Sequence, residues 1–310
     1  MYNPAKPTKK KVIDLISTTW KTPYISITPD TYSIFKTKIK GYEVDHTDGI
    51  GTKGFYHWRK RSFKNAVIDA LAMNLNDLAL VRAIPFKLQN HIVLPKDDNQ
   101  AVYAIAKALT CECKNRKIAI TGGETSIHEN SDSMDISITV SGFIAKKVKN
   151  RFTTNDVLIG IKSSGLHSNG ITKVRELYGS NYRPEFTKPT RIYLDEILKV
   201  NSVNQINGMM HITGGAFTKL KDILINQDAV IEAKKLKPQK IFYEIYNKKV
   251  SDEDMYSTFN CGIGFILSVP KNQSLSVVQK LPNSAIIGTI VKGSGKVIIK
   301  SAFSDQKITL

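Results

Sequence analysis

The chain has 310 residues, 41% of them hydrophobic, with 45 Lys and Arg against 27 Asp and Glu and a net charge of +18. This composition is typical of a globular protein, and the length suffices for two domains. No apolar run is long enough to span a membrane, no stretch resembles a nucleic-acid-binding motif, and an odd set of three cysteines indicates a reducing compartment. We therefore expect a cytoplasmic protein that binds neither membrane nor nucleic acid.

The first 40 residues are polar, basic and interrupted by proline, which predicts an arm with about one helical turn. Residues 42–46 then predict a strand that leads into DGIGTK, residues 48–53. Gly49 and Gly51 suit a close approach to an anion, Asp48 suits a divalent cation and Lys53 suits phosphate. Taken alone, the same loop is also compatible with an Asp-Gly hairpin turn and a solvated lysine.

The rest of the N-terminal half predicts alternating helices and strands. They are a helix over 66–83, a strand at 91–94, a helix over 100–113 and strands at 117–121 and 134–143. Asp77 lies late in the first helix, where the macrodipole disfavours a carboxylate, so we expect a cation beside it. The strand at 117–121 ends at a glycine turn that carries Glu124. Four strands leave open edges and an uncovered face, which predicts pairing with a second subunit.

A polar, basic linker over 146–155 precedes the second half. A strand at 156–161 runs into SSGLHSNG, residues 163–170, and then a helix over 171–179; this pattern suits a ligand site, although a plain β-to-α turn has it too. PTRIY, residues 189–193, predicts a helix that starts with proline. A strand at 210–213, Gly214-Gly215 and a helix over 216–224 predict a phosphate seat. Strands at 265–270, 285–288 and 295–299 complete the sheet.

Seven motifs in this order carry a family resemblance. They are DGIGTK, NAVIDALAMNLNDL, ITGGET, DVLIGIKSSGLHSNG, PTRIY, HITGGAF and TFNCGIG, within the span from about Asp45 to Gly288. Together they resemble the phosphoribosylformylglycinamidine cyclo-ligases, also called aminoimidazole ribonucleotide synthetases. The resemblance implies a mixed α+β and α/β homodimer. Residues 1–150 would form an ATP- and Mg-binding dimerisation domain whose small sheets pair into a barrel, and residues 151–310 a substrate-binding α/β sandwich.

The resemblance also implies a reaction and a site. ATP would phosphorylate the formyl amide oxygen of formylglycinamidine ribonucleotide, and the amidine nitrogen would close the ring of aminoimidazole ribonucleotide, a step of de novo purine biosynthesis. The implied cofactors are ATP and Mg²⁺, and a need for K⁺ is left open. The implied catalytic residues are Asp48, Lys53, Asp77, Glu124 and His167, with Asp48, Asp77 and Glu124 as metal ligands. The implied cofactor-binding residues are Gly49, Gly51, Thr52, Asn76, Gly122 and Gly123. The implied substrate-binding residues are Ser168, Asn169, Arg191, His211, Thr213, Gly214, Gly215 and Asn260.

The chain departs from the family pattern in three places. No glycine occurs from Thr22 up to Gly41, where the family has a glycine-rich nucleotide loop; residues 126–130 replace a Met-Pro-Gly turn, and Arg82 stands near a missing glycine. Two alternatives therefore stay open. One is a small-molecule kinase or dehydratase of the same architecture, against which GLHSNG, PTRIY and FNCGIG argue. The other is a paralogue that has lost catalysis and acts as a binding partner.

Overall fold

The computed structural model describes residues 7–29, 35–38, 42–144 and 148–310. The chain divides into two compact units, Met1–Leu78 with Arg82–Lys146, and Lys147–Leu310 with the short segment Ala79–Val81. Each unit contains both helices and a sheet, so the fold is mixed α+β in two domains. In the part of the chain that is described, no helix is both long and apolar enough to cross a membrane.

The N-terminal arm is more ordered than its sequence predicts. Helix α1, Pro7–Ser17, has about three turns, and strands β1, Ser26–Pro29, and β2, Phe35–Lys38, pair antiparallel. Tertiary hydrogen bonds contribute to this order, because Trp20 Nε1 donates to Ile120 O at 2.7 Å and Ile120 N donates to Thr19 Oγ1 at 2.9 Å. Residues 1–6, 30–34 and 39–41 of the arm, and residues 145–147 of the predicted linker, lie outside the described residues.

The first unit contains a four-stranded sheet among its described residues. Its strands are β3, Tyr42–Gly49, β4, Ile84–Leu94, β5, Ala119–Ile127, and β6, Asp135–Ile144, in the order β3-β6-β4-β5. Strands β4 and β5 run parallel, and the other neighbours are antiparallel. The four strands predicted for this unit are therefore present.

Strand β5 corrects one prediction. Residues 122–125 do not form a turn after the strand; they continue it, paired in parallel with residues 89–92 of β4. A register shift between Leu88 and Gln89 takes up the extra residue. Glu124 is therefore carried on an extended strand.

The helices of this unit follow the predicted pattern closely. After a 3₁₀ turn, Gly51–Lys53, come α2, Gly54–Lys60, α3, Phe63–Leu80, and α4, Asn99–Arg116. The DGIGTK loop thus joins a strand to a helix, and the hairpin alternative is wrong. Helix α3 has an apolar face at helical spacing whose members are at most 2% exposed, namely Val67, Leu71, Leu75 and Leu78. Asp98 caps α4 by accepting from Ala101 N at 2.9 Å.

The second unit is built around a seven-stranded sheet, counted over the described residues. Its strands are β7, Val157–Lys162, β8, Gly208–His211, β9, Gln227–Glu232, β10, Ile263–Val269, β11, Ser284–Lys292, β12, Val297–Lys300, and β13, Lys307–Thr309. The order is β13-β12-β9-β11-β7-β10-β8, and β9 and β12 are its parallel pair. Strands β9 and β13 have no counterpart in the sequence prediction. Strand β10 is buried along its whole length, as expected for a strand in the sheet interior.

Helices connect these strands. Two helices predicted from the sequence differ in the structure. The helices are α5, Ile171–Tyr178, α6, Leu194–Asn201, α7, Lys240–Tyr246, α8, Asp252–Thr258, and α9, Ser274–Lys280. Helix α5 begins and ends as predicted. PTRIY does not open a helix, because Ser164 Oγ donates to Pro189 O at 2.6 Å and holds this segment against the SSGLHSNG loop; α6 begins only at Leu194. The helix predicted after Gly215 is a 3₁₀ helix, Ala216–Ile223.

Candidate active site

Lys53 lies at the base of the DGIGTK loop and is completely buried. Its Nζ donates to Asp69 Oδ1 at 2.9 Å and lies 2.8 Å from Oδ2, while His57 Nε2 contacts Asp69 Oδ2 at 2.8 Å. Lys53, His57 and Asp69 are all 0% exposed. This geometry fits neither of the two interpretations of Lys53, as a solvated lysine or as a phosphate ligand, because the ammonium already pairs with a buried carboxylate. Lys53 instead anchors the loop to α3.

The surroundings set the charge of each member of this network. Burial opposes ionisation of Asp69, but the charge of Lys53 and the bond from His57 outweigh it and hold the pKa of Asp69 below its usual range. Burial lowers the pKa of His57 in spite of Asp69, and burial likewise lowers the pKa of Lys53. A neutral His57 donates from Nε2 to Asp69 and accepts at Nδ1 from Ser62 Oγ, 2.8 Å away. The result is a buried ion pair extended by neutral hydrogen bonds.

Asp77 has a histidine neighbour, His46, that the sequence reasoning missed. Asn74 Nδ2 donates to Asp48 O at 3.1 Å and to Ala70 O at 2.9 Å, so Asn74 Oδ1 faces His46 Nδ1 at 3.0 Å. That ring nitrogen therefore carries a proton. His46 Nε2 lies 3.3 Å from Asp77 Oδ2, and the hydrogen bond to Asp77, with smaller help from Asn74, raises the pKa of His46 against the effect of burial. The available signal was the spacing of His46 and Asp48, which places them on one face of β3.

The three predicted metal ligands do not form one group within the chain. Among the described residues, no three His, Cys, Asp or Glu side chains lie close enough together to hold a metal ion. Asp48 is on β3 and Glu124 on β5, at opposite edges of the sheet, so about three strand spacings, roughly 14 Å, separate their backbones. Asp48 and Asp77 are closer in the fold, because both carboxylates act on His46. Two carboxylates fit the ligand set that Mg²⁺ uses when it is bound with phosphate oxygens and water.

The predicted cofactor-binding residues differ in exposure. Gly51 and Thr52 are exposed, and a Cβ at Gly51, whose φ is +54°, would meet nothing within 4 Å. Gly122 is half-buried and Gly123 is exposed along β5. Asn76 is 0% exposed, which does not fit direct contact with a cofactor. A Cβ at Gly49 would lie 3.0 Å from Ser137 Oγ, so this glycine also permits close packing of β3.

The two histidines predicted in the second unit are buried in an aromatic cluster. His167 and His211 are 0% exposed, and their ring centroids are 6.4 Å apart. Tyr193 lies 6.2 Å from His167, and Phe265 stacks on His211 at 5.9 Å. His167 Nε2 accepts from Ser164 N at 3.2 Å, which turns the ring inward. Both rings are therefore buried by protein groups, and a catalytic role of His167 and substrate binding by His211 stay predictions.

Three other predicted substrate residues bond to the protein itself. Asn260 Nδ2 donates to Gly165 O at 2.9 Å and Leu166 O at 3.3 Å, which ties the SSGLHSNG loop to the FNCGIG segment. Ser168 Oγ lies 3.2 Å from Thr190 Oγ1. Arg191 Nη2 reaches both carboxylate oxygens of Glu196, at 2.9 and 2.7 Å. The contacts of Asn260 and Ser168 hold the loop in place, and Arg191 is held by Glu196, so the structure supports a structural role for Asn260 and Arg191.

The remaining predicted residues come together at the Gly214-Gly215 turn. Both glycines are exposed, Gly215 has a φ of +76°, and a Cβ at Gly214 would lie 3.5 Å from Asn169 Oδ1. Lys219 Nζ donates to Thr213 Oγ1 at 2.9 Å on the other side of the turn. The sequence reasoning missed Lys219, although one turn of helix beyond a glycine pair is within reach of that pair. The turn therefore has the Lys219 ammonium on one side and the Asn169 side-chain amide, from a separate loop, on the other.

Both halves of the chain match domains of one known protein family. Residues 32–144 match the AIR synthase related protein N-terminal domain and residues 153–300 its C-terminal domain. A phosphoribosylformylglycinamidine cyclo-ligase of Saccharolobus solfataricus is 36% identical over 261 residues, which cover 81% of this chain and 79% of the relative. The same enzyme of Pyrococcus horikoshii is 34% identical over 273 residues, 82% and 81% of the two chains. The chain belongs to the phosphoribosylformylglycinamidine cyclo-ligase family.

Solved structures with low sequence identity share the fold. The hydrogenase maturation protein HypE in complex with ATP aligns with a TM-score of 0.72 at 15% identity, over 99% of this chain and 95% of that one. Thiamine-monophosphate kinase from Stenotrophomonas maltophilia K279a aligns with a TM-score of 0.66 at 17% identity, over 97% and 98% of the two chains. These similarities support the architecture alone.

Proposed function

We propose that the protein catalyses the ATP-dependent cyclisation of formylglycinamidine ribonucleotide to aminoimidazole ribonucleotide in purine biosynthesis. The supporting observation is that both halves of one chain match the domains of this family, with relatives of that name above 30% identity over most of their length. ATP transfers its terminal phosphoryl group to the formyl oxygen. The amidine nitrogen then attacks that carbon, and phosphate leaves as the ring closes.

The first unit is proposed to bind the nucleotide. The exposed Gly51 and Thr52 let the phosphate chain approach the backbone of the loop. Asp48 and Asp77 would hold Mg²⁺, which neutralises phosphate charge when bound. Lys53 acts through the loop that it anchors, since its ammonium bonds to the buried Asp69. ATP in the HypE complex and AMPPCP in a thiamine-monophosphate kinase complex support a nucleotide site in this fold.

A homodimer is proposed as the working unit. Glu124 lies on the sheet edge opposite Asp48, so it contributes to the same metal site only when a second copy supplies it. Joining the open edges of two four-stranded sheets into a barrel satisfies both the edge hydrogen bonds and this requirement. Each metal site would then take Asp48 and Asp77 from one copy and Glu124 from the other.

The second unit is proposed to bind the ribonucleotide substrate. Gly214 and Gly215 are exposed, with the half-buried Asn169 and the buried Thr213 beside them, and a positive φ at Gly215 suits a backbone that curves around a phosphate. The buried His167 and His211 support this turn from below, together with Asn260. Their role is to position the SSGLHSNG loop.

The test is turnover by the purified protein. Formylglycinamidine ribonucleotide, ATP and Mg²⁺ are expected to yield aminoimidazole ribonucleotide and ADP in equal amounts. ATP turnover with a different substrate, but none with this one, would favour a kinase or dehydratase of the same architecture. Loss of catalysis in a binding paralogue would give neither product, and thermal stabilisation by Mg-ATP would then be unchanged in Asp77→Ala.

A further inference from the structure

Lys219 is the one member of the donor cluster at the Gly214-Gly215 turn that carries a full charge. It is half-buried on the 3₁₀ helix Ala216–Ile223, and its Nζ is held by Thr213 Oγ1 at 2.9 Å. Over the described ranges of the chain, no carboxylate lies within ion-pair distance of it, whereas several other lysines pair with acids, as Lys53 does with Asp69. A partly buried ammonium held by a neutral hydroxyl still lacks a counter-ion.

The neighbours of Lys219 at the turn are a hydroxyl group and a side-chain amide. Because Thr213 Oγ1 accepts from the ammonium, its own proton is directed away from Lys219. Asn169 Oδ1 lies against Gly214, and Asn169 Nδ2 is a buried atom that makes no hydrogen bond to any residue the structure describes. An ammonium, a hydroxyl proton and an amide thus surround an exposed glycine turn, an arrangement that suits an oxyanion.

We propose that Lys219 binds the phosphate monoester of the ribonucleotide substrate, with the Thr213 hydroxyl as a neutral donor and the Asn169 amide beside the turn. The inference rests on the proposed function for the identity of the substrate. Lys219 is a binding residue here and takes no part in the chemical steps. The polar donors orient the phosphate, and the ammonium supplies the charge that makes the site selective for nucleotide over nucleoside.

The experiment compares two substrates on three proteins. Lys219→Met should lower kcat/KM for formylglycinamidine ribonucleotide by about 10- to 100-fold, the usual effect of one hydrogen bond to a charged group. The KM for ATP should stay unchanged. With the dephosphorylated nucleoside as substrate, wild type and Lys219→Met should have equal kcat/KM, because the charge then has nothing to bind. Lys221→Met is the matched control, an exposed lysine on the same 3₁₀ helix, and should behave as wild type with both substrates.

The outcomes separate this inference from the proposed function. An equal loss with nucleotide and nucleoside, or no loss with either, would overturn the role of Lys219. If wild type shows no cyclisation, the proposed function fails, and calorimetry with ribose 5-phosphate still tests the site. Wild type should bind ribose 5-phosphate at least 10-fold more tightly than Lys219→Met. Equal affinity of the two proteins in that titration would refute the phosphate site.

Discussion

The ion pair between Lys53 and Asp69 joins the DGIGTK loop to helix α3. Both side chains are 0% exposed, so each charge depends on the other for compensation. Sequence reasoning assigned Lys53 to phosphate because the charge of a lysine beside a glycine loop suits phosphate. The partner that changes this interpretation, Asp69, lies 16 positions later on another helix.

We predict that Asp69→Ala destabilises the protein by about 3–5 kcal/mol, because it leaves the Lys53 ammonium buried without a counter-ion. The free energy of unfolding in urea measures this. The control is Asp14→Ala, which breaks the exposed pair with Lys10, where the side chains are 82% and 60% exposed, and should cost less than about 1 kcal/mol. Similar losses in the two variants would show that the buried pair is not a stabilising contact.

We predict that His57 makes stability depend on pH below neutrality. Burial lowers its pKa in the folded state, so from about pH 6.5 downward the unfolded chain binds a proton that the folded chain does not. Stability is therefore full above pH 6.5 and falls as the pH drops toward the folded-state pKa. From pH 7 to pH 5, His57→Gln should therefore lose less stability than wild type in urea unfolding.

The matched control for His57 is His128→Gln, a change at an exposed histidine that should follow the wild-type pH profile. If His57→Gln shows the same pH dependence of the free energy of unfolding as wild type between pH 7 and pH 5, the buried neutral histidine does not cause that dependence. The two variants should be compared at equal ionic strength, because salt screens exposed charges more than buried ones.

At the scale of elements, the two glycines at the ends of helix α5 have different structural roles. A glycine flanks each end of this helix, and both have positive φ, +71° at Gly170 and +56° at Gly179. A Cβ at Gly170 would lie 2.3 Å from the Phe259 ring, whereas a Cβ at Gly179 would meet nothing within 4 Å. The first glycine is thus required for packing against the FNCGIG segment, and the second only for its backbone conformation.

We predict that Gly179→Ala costs about 1 kcal/mol through backbone strain alone. Gly170→Ala should cost about 1–3 kcal/mol more, because the ring of Phe259 must move as well. Thermal or urea unfolding of the two variants measures the difference directly. Equal costs would contradict the close contact between the helix start and Phe259.

For the whole molecule, the main proposal is that two copies complete each metal site. The order β3-β6-β4-β5 keeps Asp48 and Glu124 apart within one sheet, and closure with a second sheet brings opposite edges together. Sedimentation should give twice the chain mass of 34.6 kDa. A monomer at micromolar concentration, with full activity, would exclude the shared site.

We predict that inactive variants complement each other. Asp48→Ala and Glu124→Ala should each lower turnover at least about 100-fold, the usual scale for groups that stabilise a transition state. After mixing, unfolding and refolding together, random pairing gives one intact site in each mixed dimer and about a quarter of wild-type activity. The control mixture of Asp48→Ala with Asp77→Ala should stay inactive, since both residues come from the same copy. Activity in that control would contradict the proposed division.

The sequence by itself determined the family, the four strands and two long helices of the first unit, and the loops at the candidate site. These features depend on local periodicity, on glycine positions and on motif order, all of which are present in the linear chain. The prediction was weakest where elements are short or lack periodicity, as in α1, β9, β13 and the 3₁₀ helix after Gly215.

Only the tertiary structure decided which side chains of those motifs are buried and which stay exposed. His167, His211 and Lys53 have suitable chemistry, but each is buried by partners from elsewhere in the fold, and Glu124 is separated from Asp48 by strand order. The tertiary structure also showed that Lys219 lies beside the Gly214-Gly215 turn and that His46 pairs with Asp77. The physical reason is that residue type sets what a side chain can bond, whereas its direction and burial depend on residues far away in the chain, as Ser168 and Thr190 illustrate across 22 positions.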